Sequence, residues 1–353
     1  MEFGMQFLPD VRPEQKPAAR YFDESLRLVG LCDAYGYTHV RIVEHYFHYW
    51  GGLSPSPIVF LAAAAQRTRR ARLVTGAVLP AFNHPLKLAG ELAMLDAISG
   101  GRLDIGFARA FLPYEFAHFG VDMEESVDRF EEGIEQVRRL LEEEDVTSEG
   151  RFHRFRGVTS LPRPTQRPRP CFYIAAVGTP ESFARAGRLG YGIMAIPGVG
   201  STPSELVEIY REAWAEAGHP GQPRVMLAVF MFCHEDREEA VRIAKPRIER
   251  HFESIADAMT QYADGAPPST YRNYDRMREK ILAETFESQV AHMAAFVGTP
   301  ADLVEQFHEF DRRMGGCDHA SLQVNFNDMP YEDAARSVSL FGEAVIPRFA
   351  RAG

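Results

Sequence analysis

His45, preceded by Glu44, and Arg109 further along are the first side chains in this sequence able to do chemistry. Imidazole suits proton transfer near neutrality, and it serves equally well as a structural hydrogen-bonding group. Arg109 follows the small-residue run Gly106-Phe107-Ala108. Its planar guanidinium can clamp a phosphate or the electron-rich edge of a planar ring, or simply pair with a neighbouring carboxylate. A third feature is the turn Val177-Gly178-Thr179-Pro180-Glu181-Ser182, where free N–H groups and two hydroxyls at a helix start could dock an anion. An ordinary capped helix explains the same residues. Other chemistries lack their residues: there is no Gly-x-Ser-x-Gly, no His-Glu-x-x-His and no Gly-x-x-x-x-Gly-Lys. His45 and His48 would face opposite sides of an extended chain, so no metal is expected there.

The elements that must position these groups alternate regularly. Strand-like runs are Phe3 to Leu8, Thr38 to Val43, Arg72 to Leu79, Arg102 to Ala108, Cys171 to Val177, Gly192 to Ile196, Arg224 to Phe232 and His319 to Asn325. Helical spacing falls between them, over Tyr21 to Tyr35, Pro57 to Arg67, Pro85 to Ile98, Glu124 to Glu144, Pro180 to Leu189, Pro203 to Ala217, Glu235 to Phe252, Pro300 to Arg313 and Tyr331 to Phe349. A Pro- and Arg-rich connection covers Arg151 to Pro170. Strict β/α alternation implies a parallel sheet, and eight repeats close into an α/β (β/α)8 TIM barrel with its active site at the C-terminal strand ends. A doubly wound open sheet is the rival, but its Gly-x-Gly-x-x-Gly fingerprint is missing; Gly198-Val199-Gly200 lacks the third glycine. The barrel reading puts Glu44-His45-Tyr46, Gly76-Ala77, Arg109, Ala176 to Thr179 and Met194 to Pro197 on one rim. The polar stretch Ala263 to Glu284, with Gly265, Pro267 and Pro268, is too long for an ordinary barrel connection and reads as a disordered insertion or a lid.

A length of 353 residues suits either two domains of roughly 150 residues or one barrel. Hydrophobic residues make up 45% and charged residues 25%, enough apolar material for a sizeable core. Thirty-nine Lys+Arg against 49 Asp+Glu give a net charge of −10, which argues against nucleic acid as a partner. The longest apolar run, Ile58 to Ala65, is far below the roughly 18 residues of a membrane span, so no membrane association is expected. The N-terminus has no basic region and its apolar stretch stops at Pro9, unlike a signal peptide. Cys32, Cys171, Cys233 and Cys317 show no Cys-x-x-Cys pair and read as buried thiols of a cytoplasmic protein. Phe7, Trp50, Phe111, Phe230 and Phe232 lie near strand ends and suggest an apolar pocket, or core.

In order along the chain, Val43-Glu44-His45-Tyr46-Phe47, His84-Pro85 opening a helix, Leu95-Asp96-x-x-Ser99-Gly100-Gly101-Arg102, Gly106-Phe107-Ala108-Arg109 and Val297-Gly298-Thr299-Pro300 are similar to the luciferase α-chain pattern. The chain thus resembles the bacterial luciferase-like flavin-dependent monooxygenases almost end to end. The resemblance implies a single barrel domain over 1–353, with an insertion before the last strand acting as a mobile lid at about 261–290. It implies that reduced FMN binds at the mouth, reacts with O2 to a C4a-peroxyflavin and passes one oxygen to a hydrophobic organic substrate. His45 takes the place of the catalytic histidine, and Glu44 holds the loop or orients His45. Arg109 matches the arginine on the flavin side, and Gly178, Thr179 and Ser182 match the phosphate-binding turn. Ala108, Ala176 and Met194, at neighbouring strand ends, complete the expected cofactor-binding set. Gly76-Ala77 corresponds to a non-prolyl cis peptide beneath the isoalloxazine, a rare geometry that functional sites can hold.

Ala108 replaces luciferase's reactive cysteine and Tyr46 its second histidine, so light emission is not implied. Glu115 stands at a carboxylate position of the luciferase pattern, where surface solvation explains a glutamate equally well. Without a dinucleotide fingerprint, the reduced flavin is expected from a separate NAD(P)H-dependent flavin reductase. Alternatives are an F420-dependent oxidoreductase of the same barrel family, a non-catalytic flavin-binding accessory protein, and a glycosidase for which only Asp104 and Glu115 offer carboxylates. The small residues Ala62 to Ala65 permit close helix contact, and early barrel helices pair in this family, so a homodimer is expected.

Overall fold

The computed structural model describes residues 1–197, 203–260 and 274–349. Its elements run β1 (Glu2–Phe7), α1 (Ala18–Val29), α2 (Cys32–Tyr35), β2 (His39–Ile42), α3 (Pro57–Ala64), β3 (Arg72–Val78), α4 (Pro85–Ile98), β4 (Leu103–Ala108), α5 (Pro113–Phe119) and α6 (Ser126–Glu142). There follow β5 (Val146–Glu149), β6 (Arg154–Val158), β7 (Cys171–Ala175), α7 (Pro180–Arg188), β8 (Gly192–Ala195), α8 (Pro203–Glu216), β9 (Val225–Cys233) and α9 (Arg237–Thr260). The chain continues with α10 (Tyr274–Leu282), α11 (Phe286–Ala291), β10 (Ala295–Gly298), α12 (Pro300–Arg313), β11 (His319–Gln323) and α13 (Tyr331–Ala344).

Eight parallel strands, β1, β2, β3, β4, β7, β8, β9 and β11, close into the expected barrel, the ring completed by β1 on β11 and β8 on β9. All eight are the strands read from sequence. β10 lies outside the ring and pairs with the far end of β9, Ala295 beside Phe230 and Gly298 beside Cys233. β9 can also reach β10 because its nine residues run past the stretch, Val225 to Phe230, that pairs with β8 and β11. The Pro- and Arg-rich connection also differs from expectation, since β5 and β6 form an antiparallel ribbon just before and within it.

Alternation along β1 sorts its side chains. Phe3 packs outward on Phe307 and Phe341 at 5.0 and 5.2 Å. Gly4 faces inward against His39, whose ring leaves no room for a Cβ at position 4. Inside the barrel Val74, Tyr173, Met194 and Met226 form one apolar layer. Arg41 crosses the interior, donating to Gln6 Oε1 at 2.7 Å and to the Gly76 carbonyl at 3.2 Å. Cys32, Cys233 and Cys317 are buried as expected, while Cys171 is only partly covered.

The helix after β9 departs most from a plain barrel. Expected over Glu235 to Phe252, α9 extends to Thr260 and runs along the rim. Arg250 bonds Asn327 and Asp328 beyond β11, His251 bonds Asp10 beyond β1, and Asp257 accepts from Tyr49 beyond β2. These strands are consecutive in the sheet. Seven residues of helix rise about 10 Å, the width of two strand spacings, so one straight segment reaches all three. Part of the expected lid, 261–273, lies outside the described residues, as does Gly198-Val199-Gly200; the rest forms α10 and α11.

Candidate active site

His45 leaves the end of β2 in a tightly turned loop. Its N–H donates to the Ser54 carbonyl at 3.1 Å, and Ser54 Oγ returns a bond to the Val43 carbonyl at 2.7 Å. Gly51 closes this loop at φ +79°, where a Cβ would lie 2.7 Å from the His45 side chain. Only glycine satisfies both demands. Opposite, Pro113 starts α5 and Gly120 stops it in the left-handed region, a length that sets Glu115 in the first turn, facing the loop.

Glu115 is 0% exposed, in contrast to the solvated surface position considered from sequence. Its Oε1 accepts from His45 Nδ1 at 3.1 Å and from the Tyr46 N–H at 2.9 Å. An acceptor at Nδ1 fixes the proton there and leaves the lone pair of the neutral ring on Nε2. The imidazole packs 4.6 Å from the Trp50 ring and 6.0 Å from Phe111. Trp50 Nε1 is buried without a hydrogen-bond partner among the described residues, a donor that calls for a ligand atom or water.

Glu44 does not bond His45. Its Oε1 accepts from Tyr46 Oη at 2.5 Å and Asn83 Nδ2 at 2.8 Å, and its Oε2 from the Leu79 N–H at 3.2 Å. The carboxyl therefore ties the β2 loop to the segment after β3, and of the two roles expected for it, the structure supports loop holding. Burial pushes its pKa up to about 7, against the pull of three donors. Orientation of His45 falls to Glu115.

The remaining predicted residues occupy neighbouring strand ends. The Gly76–Ala77 peptide is cis, and the pairing of β3 with β4 shifts register between Thr75 and Val78. Ala108 ends β4, half-buried against the cluster of Leu79, Ala110 and Phe116, and half-buried Arg109 follows. Beyond β7, Ala176 donates its N–H to the Met194 carbonyl at 2.9 Å. Met194 itself belongs to the interior layer, with its side chain against the position of Gly106. Thr179 is the N-cap of α7, yet its hydroxyl makes no cap bond and stays exposed; Gly178 and Ser182 flank it, half-buried.

Of the apolar pocket candidates, Trp50 and Phe111 surround His45 and Phe230 packs on His251, whereas Phe7 packs against Phe60 and Phe232 belongs to the core. Asp104 is bound by Arg72 at the start of β4, so it does not face Glu115 as a glycosidase pair requires. Sequence reasoning missed Asn83, Asp10 and His251; the Pro113 and Gly120 boundary signals could have located α5.

A family model described as luciferase-like monooxygenase matches residues 1–316. The crystal structure of monooxygenase RslO1 from Streptomyces bottropensis superposes with a TM-score of 0.88 at 44% identity, covering 99% of this chain and 100% of that one. The oxygenase component of flavin-dependent trigonelline monooxygenase from Acinetobacter baylyi is 32% identical over 231 residues, 64% of this chain and 63% of the relative. An F420-dependent secondary alcohol dehydrogenase shares the fold at 17% identity and a TM-score of 0.75, covering 99% of each chain.

Proposed function

The chain belongs to the luciferase-like monooxygenase family, and from that premise we propose that it is the oxygenase of a two-component system, using reduced FMN and O2 to oxygenate a hydrophobic organic substrate. One observation carries the reading: His45, held at Nδ1 by the buried carboxylate of Glu115, keeps its Nε2 for the aromatic floor of Trp50 and Phe111. The residues fit a flavin. An uncapped, exposed Thr179 at the start of α7, with Gly178 and Ser182, suits its phosphate. Arg109 would contact the flavin side, with Gly76, Ala77, Ala108, Ala176 and Met194 lining its approach.

When bound, reduced flavin supplies two electrons to O2, so that one oxygen enters the substrate and the other leaves as water. The chain's own work is to position and protonate. His45 Nε2 holds or delivers the proton, and Glu115 fixes its tautomer and stabilises the imidazolium. Glu44 keeps the loop in place through Tyr46 and Asn83, and Trp50 with Phe111 excludes water.

We assign reduced flavin to a separate NAD(P)H-dependent reductase; the relative named as an oxygenase component supports this. A homodimer is proposed on α3, whose residues Pro57–Ala64 are all apolar although Val59 is 71% exposed. We take 1–353 as one barrel domain in the cytoplasm; no described helix is long and apolar enough to cross a membrane.

The test is anaerobic titration with photoreduced FMN, followed by mixing with oxygenated buffer. Reduced FMN should bind, and its reoxidation should be slower than in buffer and faster again in His45→Ala. Absence of binding would remove the FMN reading, and F420 would be titrated next.

A further inference from the structure

The segment after β1 and the middle of α9 build a second imidazole–carboxylate pair for which the reaction above has no use. His251 Nδ1 donates to Asp10 Oδ2 at 2.7 Å. Asp10 is fully buried, and its Oδ1 accepts from the Asn327 N–H while Asn327 Nδ2 reaches the Asp10 carbonyl at 3.1 Å. With Nδ1 donating, the lone pair of neutral His251 is on Nε2. The ring is flanked by Phe230 at 5.0 Å and Trp50 at 6.2 Å. Among the described residues Nε2 makes no hydrogen bond, and a tenth of the side chain remains accessible.

Trp50 is the link. Its ring lies 4.6 Å from that of His45 and 6.2 Å from that of His251, so one indole neighbours two dyads of the same construction. Among the described residues its buried N–H is unpartnered. A planar ligand bearing an oxygen, set against these rings, would have that N–H and His251 Nε2 as polar partners.

We propose that His251, positioned by Asp10, is a second acid–base residue of the mouth, and that it selects substrates with an ionisable aromatic or enolic hydroxyl. This rests on the oxygenase reading. The O–H proton passes to His251 Nε2, and the electron pair stays on the substrate oxygen and spreads to the conjugated carbon. That carbon becomes the better acceptor of an electrophilic oxygen. As the C–O bond forms, the attacked carbon gives up its own proton to solvent and regains the conjugated form, the second oxygen of O2 leaves as water, and the imidazolium, stabilised by Asp10, returns its proton to the product oxygen. A substrate without such a hydroxyl gives a second base nothing to do. The other titratable groups around this pair are Tyr21 beside Asp10, Asp328 with Arg247 and Arg250, and Asp257 with His48.

The test uses the flavin-free protein and 4-nitrophenol, whose visible absorbance reports its ionisation. In the wild type the bound probe should ionise at least about one pH unit below the free probe, because imidazolium beside phenolate favours the charged pair. His251→Phe should abolish this shift. Asp10→Asn should shrink it and, by nitrogen NMR of the labelled histidines, loosen the Nδ1–H tautomer of His251. That measurement stands in if His251→Phe does not fold. A shift that persists in His251→Phe, one lost in His45→Phe instead, a His251 tautomer unmoved by Asp10→Asn, or a folded wild type that does not bind the probe would each overturn the proposal. Because no flavin is present, the oxygenase reading stands or falls separately, on the reduced-FMN titration.

Discussion

Glu115 Oε1 serves two donors at once, the imidazole of His45 and the main-chain N–H of Tyr46, so it sets both the ring and the backbone that carries it. Glu115→Ala should therefore lower kcat by roughly 100-fold with a smaller change in KM. Glu115→Gln, which keeps an acceptor and loses the charge, should recover part of that loss; steady-state kinetics on both variants checks this. Glu44 offers a different readout. Burial raises its pKa from the usual 4.5 to about 7 on folding, so the folded state binds the extra proton between those values. Its contribution to stability is then favourable at low pH and is lost as pH rises from about 4.5 through 7. Relative to Glu44→Gln, the wild type should gain on the order of 2 kcal/mol as pH falls from about 7.5 to about 5. Urea unfolding of both proteins at pH 5 and 7.5 measures the difference.

Among the elements, α9 decides the shape of the mouth. Its ties to Asn327, Asp328, Asp10 and Tyr49 span three strand ends. The outermost, between Asp257 and Tyr49, is exposed, and an exposed tie contributes less than about 1 kcal/mol. Asp257→Asn should leave global stability almost unchanged while raising amide exchange over the last two turns of α9, with the barrel strands protected as before; hydrogen-exchange mass spectrometry shows whether this is so. The strands themselves were legible because each is a short apolar run between helix signals, and the barrel rule then put His45 at the mouth. The partners of His45 were not legible. Glu115 sits on a two-turn helix inside what read as a strand-to-helix connection, and Asp10 meets His251 across 241 positions. Likewise Trp50 and Phe7 look alike in composition, and only the loop around Gly51 turns one to the mouth while strand alternation turns the other to α3. β10 was missed because it has only four residues and the last two, Val297 and Gly298, belong to a motif that reads as a helix start.

At the scale of the whole molecule, the apolar side chains left uncovered gather partly on α3 and α4, where Val59, Met94 and Ile98 are exposed. Burying such a surface against a second copy is the arrangement proposed above. Val59→Glu combined with Met94→Glu should convert the dimer to a monomer in sedimentation velocity while the reduced-flavin titration still reports binding. A wild type that sediments as a monomer would remove the dimer.

The pairing of β1 with β11 also governs how the protein comes into being. Asp10 waits for Asn327, 317 positions later, before its carboxylate has its partner. At a synthesis rate of about 5–20 residues per second, some 15–60 s separate the emergence of these two ends from the ribosome. Throughout that interval Phe3, Met5 and Phe7 belong to an unclosed sheet edge, prone to aggregation and a ready client for chaperones. The nascent chain cannot hold a competent mouth during this time, so it reaches its final geometry only once β11 and Asn327 have emerged.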